Sequence, residues 1–199
     1  VYGVVPAATA FMLLYAKLSN ILSKRKLFYV TAVPFFVFYL TFCFVLYPYR
    51  DLLHPTGDFS FGVKGLSFLS SLIQNWTFSL YYIVSELFGS VGVSVLFWQL
   101  ANDIVPVEQA KRFYPLFGQL ANIAPIAAGQ TVVLSAKLAS STLSDSFMRS
   151  IQLTTAFITL SGAGMLALYN YVMNLHEKEL TSSPAQQQVR LTFDNAALN

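Results

Sequence analysis

One carboxylate stands near the centre of a long apolar run. In WTFSLYYIVSELFGSVGVSVLFWQL, from Trp76 to Leu100, Glu86 is the only charged side chain. Helical spacing would line up Ser79, Tyr82, Glu86, Gly89 and Val93 on one stripe, with Ser85, Gly89 and Gly92 as a small-residue edge where a second helix can approach. A carboxylate at the depth of a bilayer centre costs roughly 2.5–3.5 kcal/mol to insert, so it is expected to face a cavity or a cation. Its chemistry is then to serve a transported species. The structural alternatives are a buried ion pair, or a protonated acid that holds two helices together. No Lys or Arg lies mid-span to supply the cation.

A second constellation follows in FYPLFGQLANIAPIAAGQTVVLSAKL. Gly118, Asn122, Pro125 and Gly129 share a helical face, with Gln119 and Gln130 beside it. The Asn122 amide offers two donors and an acceptor, suited to a nucleobase edge, a phosphate or a bond between helices. Pro125 removes one backbone hydrogen bond and is expected to kink its helix. Tyr81 and Tyr82 have faces that can stack on a planar ligand, with lipid or helix packing as the alternative. Glu108 and Arg112, at i and i+4, read as a surface helix pair.

Other chemistries lack their residues. There is no phosphate-binding GxxxxGK[ST] loop and no HExxH pair. His54 and His176 lie far apart, and the string HPTGD, with His54 and Asp58, has no second polar cluster. No nucleophile stands with a base. The reading is not an enzyme, with no cofactor and no metal. The lone Cys43 reads as packing material.

These residues need a scaffold, and composition says which kind. The 199 residues are 55% apolar and 16% aromatic but only 11% charged, against the ~25% of a water-soluble domain. Residues 1–16, 27–47, 76–100, 113–138 and 151–173 form runs that approach or exceed the roughly 20 residues needed to cross hydrocarbon. Backbone groups find no water there, so the runs must be helices. The expectation is an all-α, multi-pass integral membrane protein in a lipid bilayer, and a net charge of +3 gives no reason to invoke nucleic acid. Trp76 and Trp98 bracket their run as interfacial anchors.

Charge placement gives an orientation. Lys17, Lys24, Arg25, Lys26, Lys111, Arg112, Lys178 and Arg190 fall on one side and Arg50, Lys64, Lys137 and Arg149 on the other, so the eight-residue side is expected to be cytoplasmic. The basic turn at Lys24–Lys26 reads as a topology and gating element. Residues 1–175 are the membrane part and 176–199 a polar cytoplasmic linker or tail. A cytoplasmic N-terminus would require one more helix before Val1, making six spans, the outline of half a twelve-span transporter.

The runs ELFGSVGVSVLFWQLAND and EQAKRFYPLFGQLANIAPIAAGQ resemble the nucleotide transporter family of obligate intracellular bacteria and plastids. These are the ATP/ADP translocases of chlamydial, rickettsial and plastid type. The resemblance extends over nearly the whole chain, and AKRFYPLFG after FWQLAND is its most specific part. It implies a major-facilitator-like fold of twelve helices, of which the second to sixth are visible here. It implies exchange of ATP for ADP across a bacterial inner membrane or plastid inner envelope. It also implies transport roles for Glu86, in ELFGSV, and for Asn122, in GQLAN, while the family's key lysines fall outside this sequence. The run FGQLAN departs from the family pattern FGLGAN, Gln119 being among the residues that differ. Two other readings stand beside exchange: a proton-coupled nucleotide importer, with Glu86 as proton carrier, and a membrane protein that transports nothing.

Overall fold

The structure, a computed structural model, describes residues 3–55, 67–140 and 145–182, and every regular element among them is helical. Helix α1 spans Val4–Ser19, α2 Lys24–Thr41, α3 Arg50–Leu53, α4 Ser67–Gln74, α5 Trp76–Leu87, α6 Val93–Ile104, α7 Val107–Ala121, α8 Ile123–Ser140 and α9 Ser146–Ser182. Several join end to end. A π-helical turn at Phe42–Leu46 extends α2, and another at Phe88–Gly92 fuses α5 to α6. Four helical stretches, Lys24–Leu46, Trp76–Ile104, Val107–Ser140 and Ser146–Glu179, are long and apolar enough to cross a membrane. The helix Val4–Ser19 is apolar but shorter. The protein is therefore a multi-pass, all-α membrane protein. Its chain divides into two units, Val1–Thr159 and Leu160–Asn199, the second holding the C-terminal part of α9.

Helix ends follow local chemistry. Val105 is extended before Pro106, whose ring disfavours helix at the residue before it, and α7 restarts at once from Pro106. The chain thus folds α7 back along α6. Pro125 acts as expected, but its effect is a break: α7 stops at Ala121 and α8 starts at Ile123. Without an N–H on Pro125, the carbonyl of Ala121 loses its helical donor, and the joint falls on Asn122. At the other end, the helix continues past residue 175. Helix α9 runs on to Ser182, because HEKEL contains good helix formers and the next breaker is Pro184.

The interior of the first unit is aromatic. Phe35, Tyr39 and Phe42 of the α2 segment are buried, and they interlock with Tyr81 and Phe88. Ring centroids lie 4.3 Å apart for Phe42–Tyr81, 4.7 Å for Phe35–Phe88 and 5.8 Å for Tyr39–Tyr81. Phe78 continues the stack against Phe42 and Tyr47, each at 6.1 Å. In lipid, two apolar faces gain nothing by leaving water, so tilted and edge-on ring contacts supply cohesion through dispersion and quadrupole geometry. Gly92 makes room for this stack. A Cβ there would lie 3.1 Å from Phe88 Cδ2 and 3.6 Å from Phe35 Cε2. Cys43 is fully buried beside Thr155 of α9, in keeping with a packing role.

Polar ties close both ends of the aromatic stack. At one end, the fully buried Thr77 has its Oγ1 2.7 Å from His54 Nε2, and Trp76 Nε1 donates to the Leu53 carbonyl at 3.0 Å. Asp58, the other member of HPTGD, lies outside the described residues. At the opposite end, Gln99, Asn102 and Asp103 stand at i, i+3 and i+4 near the end of α6, and each reaches a different helix. Tyr15 Oη of α1 donates to Gln99, Tyr114 Oη of α7 donates to Asn102 Oδ1 at 2.6 Å, and Lys24 Nζ of α2 meets Asp103 Oδ1 at 2.6 Å. The basic turn that the sequence marks as a topology element is thereby anchored to α6.

Two substitutions test this packing. Gly92→Leu overfills the contact with Phe35 and Phe88, at a cost of about 1–3 kcal/mol. The apparent Tm in detergent is expected to fall by several degrees, whereas Gly89→Ala, whose Cβ meets nothing within 4 Å, should leave it unchanged. Equal shifts for both would contradict the packing described. For the ion pair, a double-mutant cycle of Lys24→Gln and Asp103→Asn should return a coupling of about 0.2–1 kcal/mol that weakens with salt. The Lys24 side chain is 64% exposed, which sets that modest size, and strict additivity would remove the tie from the fold.

Candidate functional site

The candidate residues lie on the faces that the first unit leaves open. From α5 into α6, Tyr82, Glu86, Gly89, Val93, Phe97 and Trp98 are all exposed, in one continuous stripe. Although the π turn at Phe88–Gly92 takes up an extra residue within one turn, Tyr82, Glu86, Gly89 and Val93 keep to the side on which helical spacing aligned them, while Ser79 is half-buried. Val93 closes that turn, its N–H donating to the Phe88 carbonyl, and Gly92 faces the aromatic interior while Gly89 faces open space. Beside Glu86, the Ser90 hydroxyl donates to the Glu86 carbonyl one turn earlier. The expected small-residue edge is therefore divided: Gly92 packs inward, and Gly89 stays on the open stripe.

Glu86 itself is exposed, and among the described residues no Lys or Arg pairs with it. Its neighbour Ser85 points the other way, its buried hydroxyl facing the phenols of Tyr39 and Tyr81. This settles the two tyrosines differently. Tyr81 belongs to the aromatic interior and is not placed to stack on a ligand, because its ring is already held by Tyr39 and Phe42. Tyr82, 57% exposed, stands on the Glu86 stripe.

Asn122 occupies the joint between α7 and α8. Its Nδ2 donates to the Gly118 carbonyl at 3.2 Å, a local bond that supports the chain where the regular ladder is interrupted. Gly118, Gln119, Asn122, Pro125 and Gly129 are all exposed. A Cβ added at Gly118 or Gly129 would meet nothing within 4 Å. Helix α8 buries only Ser135 and Ala139.

A groove of about 450 Å³ runs between α6 and α7, lined by Val93, Ser94, Phe97 and Trp98 on one wall and by Phe117 and Gly118 on the other. Val93 belongs to the Glu86 stripe and Gly118 to the Asn122 face, so the groove joins the two constellations. No hydrogen bond or ion pair joins Glu86 to Asn122 directly among the described residues. Trp98 packs against Tyr114 at 5.1 Å and forms part of this wall. Phe97 and Phe117, which sequence reasoning passed over, meet edge-on at 5.6 Å. Their signal was the FWQLAND and FYPLFG runs, but a phenylalanine in an apolar run gives no sign of which side it faces. The expected Glu108–Arg112 pair does not form; the Arg112 guanidinium lies 5.9 Å from the centre of the Phe113 ring. An exposed i,i+4 pair gains only about 0.3–0.5 kcal/mol, too little to hold two flexible side chains in one geometry.

A sequence profile of the family described as TLC ATP/ADP transporter matches residues 1–195. ADP,ATP carrier protein 1 of Chlamydia pneumoniae is 44% identical over 176 residues, which cover 85% of this chain and 34% of that protein. The plastidic ATP/ADP-transporter of Solanum tuberosum is 50% identical over 68% of this chain and 22% of its own length. ADP,ATP carrier protein 1 of Rickettsia prowazekii is 40% identical over 62% of this chain and 26% of its own length. No solved structure matches. The chain spans about a third or less of the length of these relatives. A profile match over nearly the entire sequence, together with these identities on an all-helical membrane scaffold, shows that the chain belongs to the TLC ATP/ADP transporter family.

Proposed function

We propose that this chain serves the exchange of ATP for ADP across a membrane by alternating access, in a carrier built on a major-facilitator-like plan of twelve helices. In that plan residues 1–175 supply the second to sixth helices and residues 176–199 a cytoplasmic linker. The membrane is a bacterial inner membrane or a plastid inner envelope. The protein performs no catalysis. The observation that carries the reading is Glu86: a carboxylate on a membrane-spanning helix, exposed on an open stripe and paired with no cation among the described residues. Such a group is costly against lipid and is retained where it faces a transported species or the charge that travels with it. The names of the relatives, ADP,ATP carrier and plastidic ATP/ADP-transporter, support the choice of substrates.

The physical role follows from charge. A nucleotide carries several negative charges, and its phosphates need lysines as compact point charges. A carboxylate does not bind phosphate. Glu86 pairs with such a lysine when the site is empty, or accepts from the adenine amino group or the ribose hydroxyls when it is full. The first role hinders reorientation of the empty carrier and makes exchange obligatory. Asn122 contributes its amide at the α7–α8 joint, with Gln119 and Tyr82 on the same open faces. The unpaired state of Glu86 also supports a second reading, proton-coupled nucleotide import, in which Glu86 carries the proton.

The deciding experiment reconstitutes the full-length protein in liposomes and follows uptake of labelled ATP. Uptake that requires internal ADP and ignores a pH gradient is the expected result. Uptake into empty vesicles driven by external acid would replace exchange with symport, and absence of all nucleotide uptake would discard both readings. Glu86→Gln is expected to lower exchange by at least tenfold with normal membrane insertion, so near-normal exchange would remove Glu86 from the mechanism. Asn122→Ala should change the competition profile among ATP, ADP and other nucleotides, and an unaltered profile would take it out of the site.

A further inference from the structure

We infer that the groove between α6 and α7 is the subsite for the planar base of the transported nucleotide, an inference that rests on the nucleotide-exchange reading. Its volume of about 450 Å³ falls within the range of roughly 300–1,000 Å³ found for small-molecule sites. Its walls are apolar and aromatic, with a few polar groups at the margin, which is the composition a heterocyclic base requires. Phe97 and Trp98 are 42% and 41% exposed, so each keeps open surface while neighbouring rings hold it in place. Phe97 is held at 86° against Phe117, and Trp98 at 67° against Tyr114. Rings held in place with open surface are preorganised for stacking, and stacking serves any base because every base has a π face. Gly118 keeps the opposite wall flat, since nothing lies within 4 Å of where its Cβ would be.

The polar residues are placed to match. Ser94 puts a hydroxyl on the groove wall. Val93 leads along the open stripe to Glu86, and Gly118 leads one turn to Asn122, whose Nδ2 it holds through its carbonyl. A base in the groove therefore lies between the two polar constellations that the sequence singles out. Nothing in the groove carries positive charge, so the phosphates extend away from it. This division separates base recognition, on α6 and α7, from phosphate recognition.

The test uses the full-length protein and two probes that differ only in whether a base is present: ATP, and inorganic tripolyphosphate. Trp98→Ala and Phe117→Ala should each weaken ATP binding tenfold or more while leaving tripolyphosphate binding within twofold, and Trp98→Phe should restore most of the loss. Gly118→Leu, which fills the groove from the other wall, should produce the same selective loss. Equal losses for both probes, or none for either, would overturn the assignment. If the unaltered protein binds tripolyphosphate but no nucleotide, the exchange reading itself fails, a result distinct from any variant's. A second measurement guards against misfolded variants. In a cysteine-free background that includes Cys43→Ala, Phe117→Cys should react with a water-soluble thiol reagent and be protected by ATP. Reaction only with a lipid-partitioning reagent would show an acyl chain in the groove, and reaction with neither would show a packed helix. Either outcome rejects the base subsite.

Discussion

Inside a bilayer, no water is present to satisfy a peptide group or to drive apolar surfaces together, and the remainder of this structure follows from that pair of restrictions. The first makes every span a helix. The second means that helices must be held by the shapes and polar atoms of their side chains. Here the holding is done by the rings of Phe35, Tyr39, Phe42, Tyr81 and Phe88, whose centroids approach to 4.3–5.8 Å in the closest pairs. It is completed by short polar contacts at the two ends, where water and polar partners are at hand: His54 with Thr77, and Lys24 with Asp103. The interlock is stiff in its middle and polar at its rims.

Such an interlock uses only one side of the α5–α6 helix. Gly92, Leu96 and Ala101 turn inward and are buried. The opposite side carries Tyr82, Glu86, Gly89 and Val93 outward, and of these Val93 lines the α6–α7 groove. Separation of this kind lets a costly carboxylate persist in a span, because the packed side supplies stability without involving it. The π turns belong to the same economy of space. Each adds one residue to a turn, and the one at Phe88–Gly92 falls where the helix must bring Phe88 against Phe35 while keeping Gly89 on the open stripe.

Asn122 shows how a breaker and a candidate ligand can be one feature. Pro125 takes the helical donor from the Ala121 carbonyl, the ladder opens, and the amide of Asn122 bonds back to Gly118. A joint results at the depth of a span, with an amide and a glycine side by side. Irregular backbone of this kind is tolerated in membranes where protein or a cavity covers it. The groove that begins at Gly118 lies next to it.

Much of this was legible in the residues themselves. The apolar runs announced the spans, Pro125 announced an interruption of its helix, and the runs ELFGSV and FGQLAN carried the family resemblance. These are properties of single segments: whether a stretch can leave water, and whether its backbone can continue a ladder, depends on its own side chains. What the sequence did not disclose concerns facing. Tyr81 and Tyr82 are adjacent and identical, yet one is stacked in the interior and the other is 57% exposed. Gln99, Asn102 and Asp103 carry no mark of their partners Tyr15, Tyr114 and Lys24, which lie on three other helices. Phe97 and Phe117 became walls of a groove only when Val105 and Pro106 folded α7 back along α6. In a chain that is apolar nearly all round, periodicity cannot tell an inner face from an outer one, and that choice is made by ring shape, a π turn and a few polar ties between segments distant in sequence.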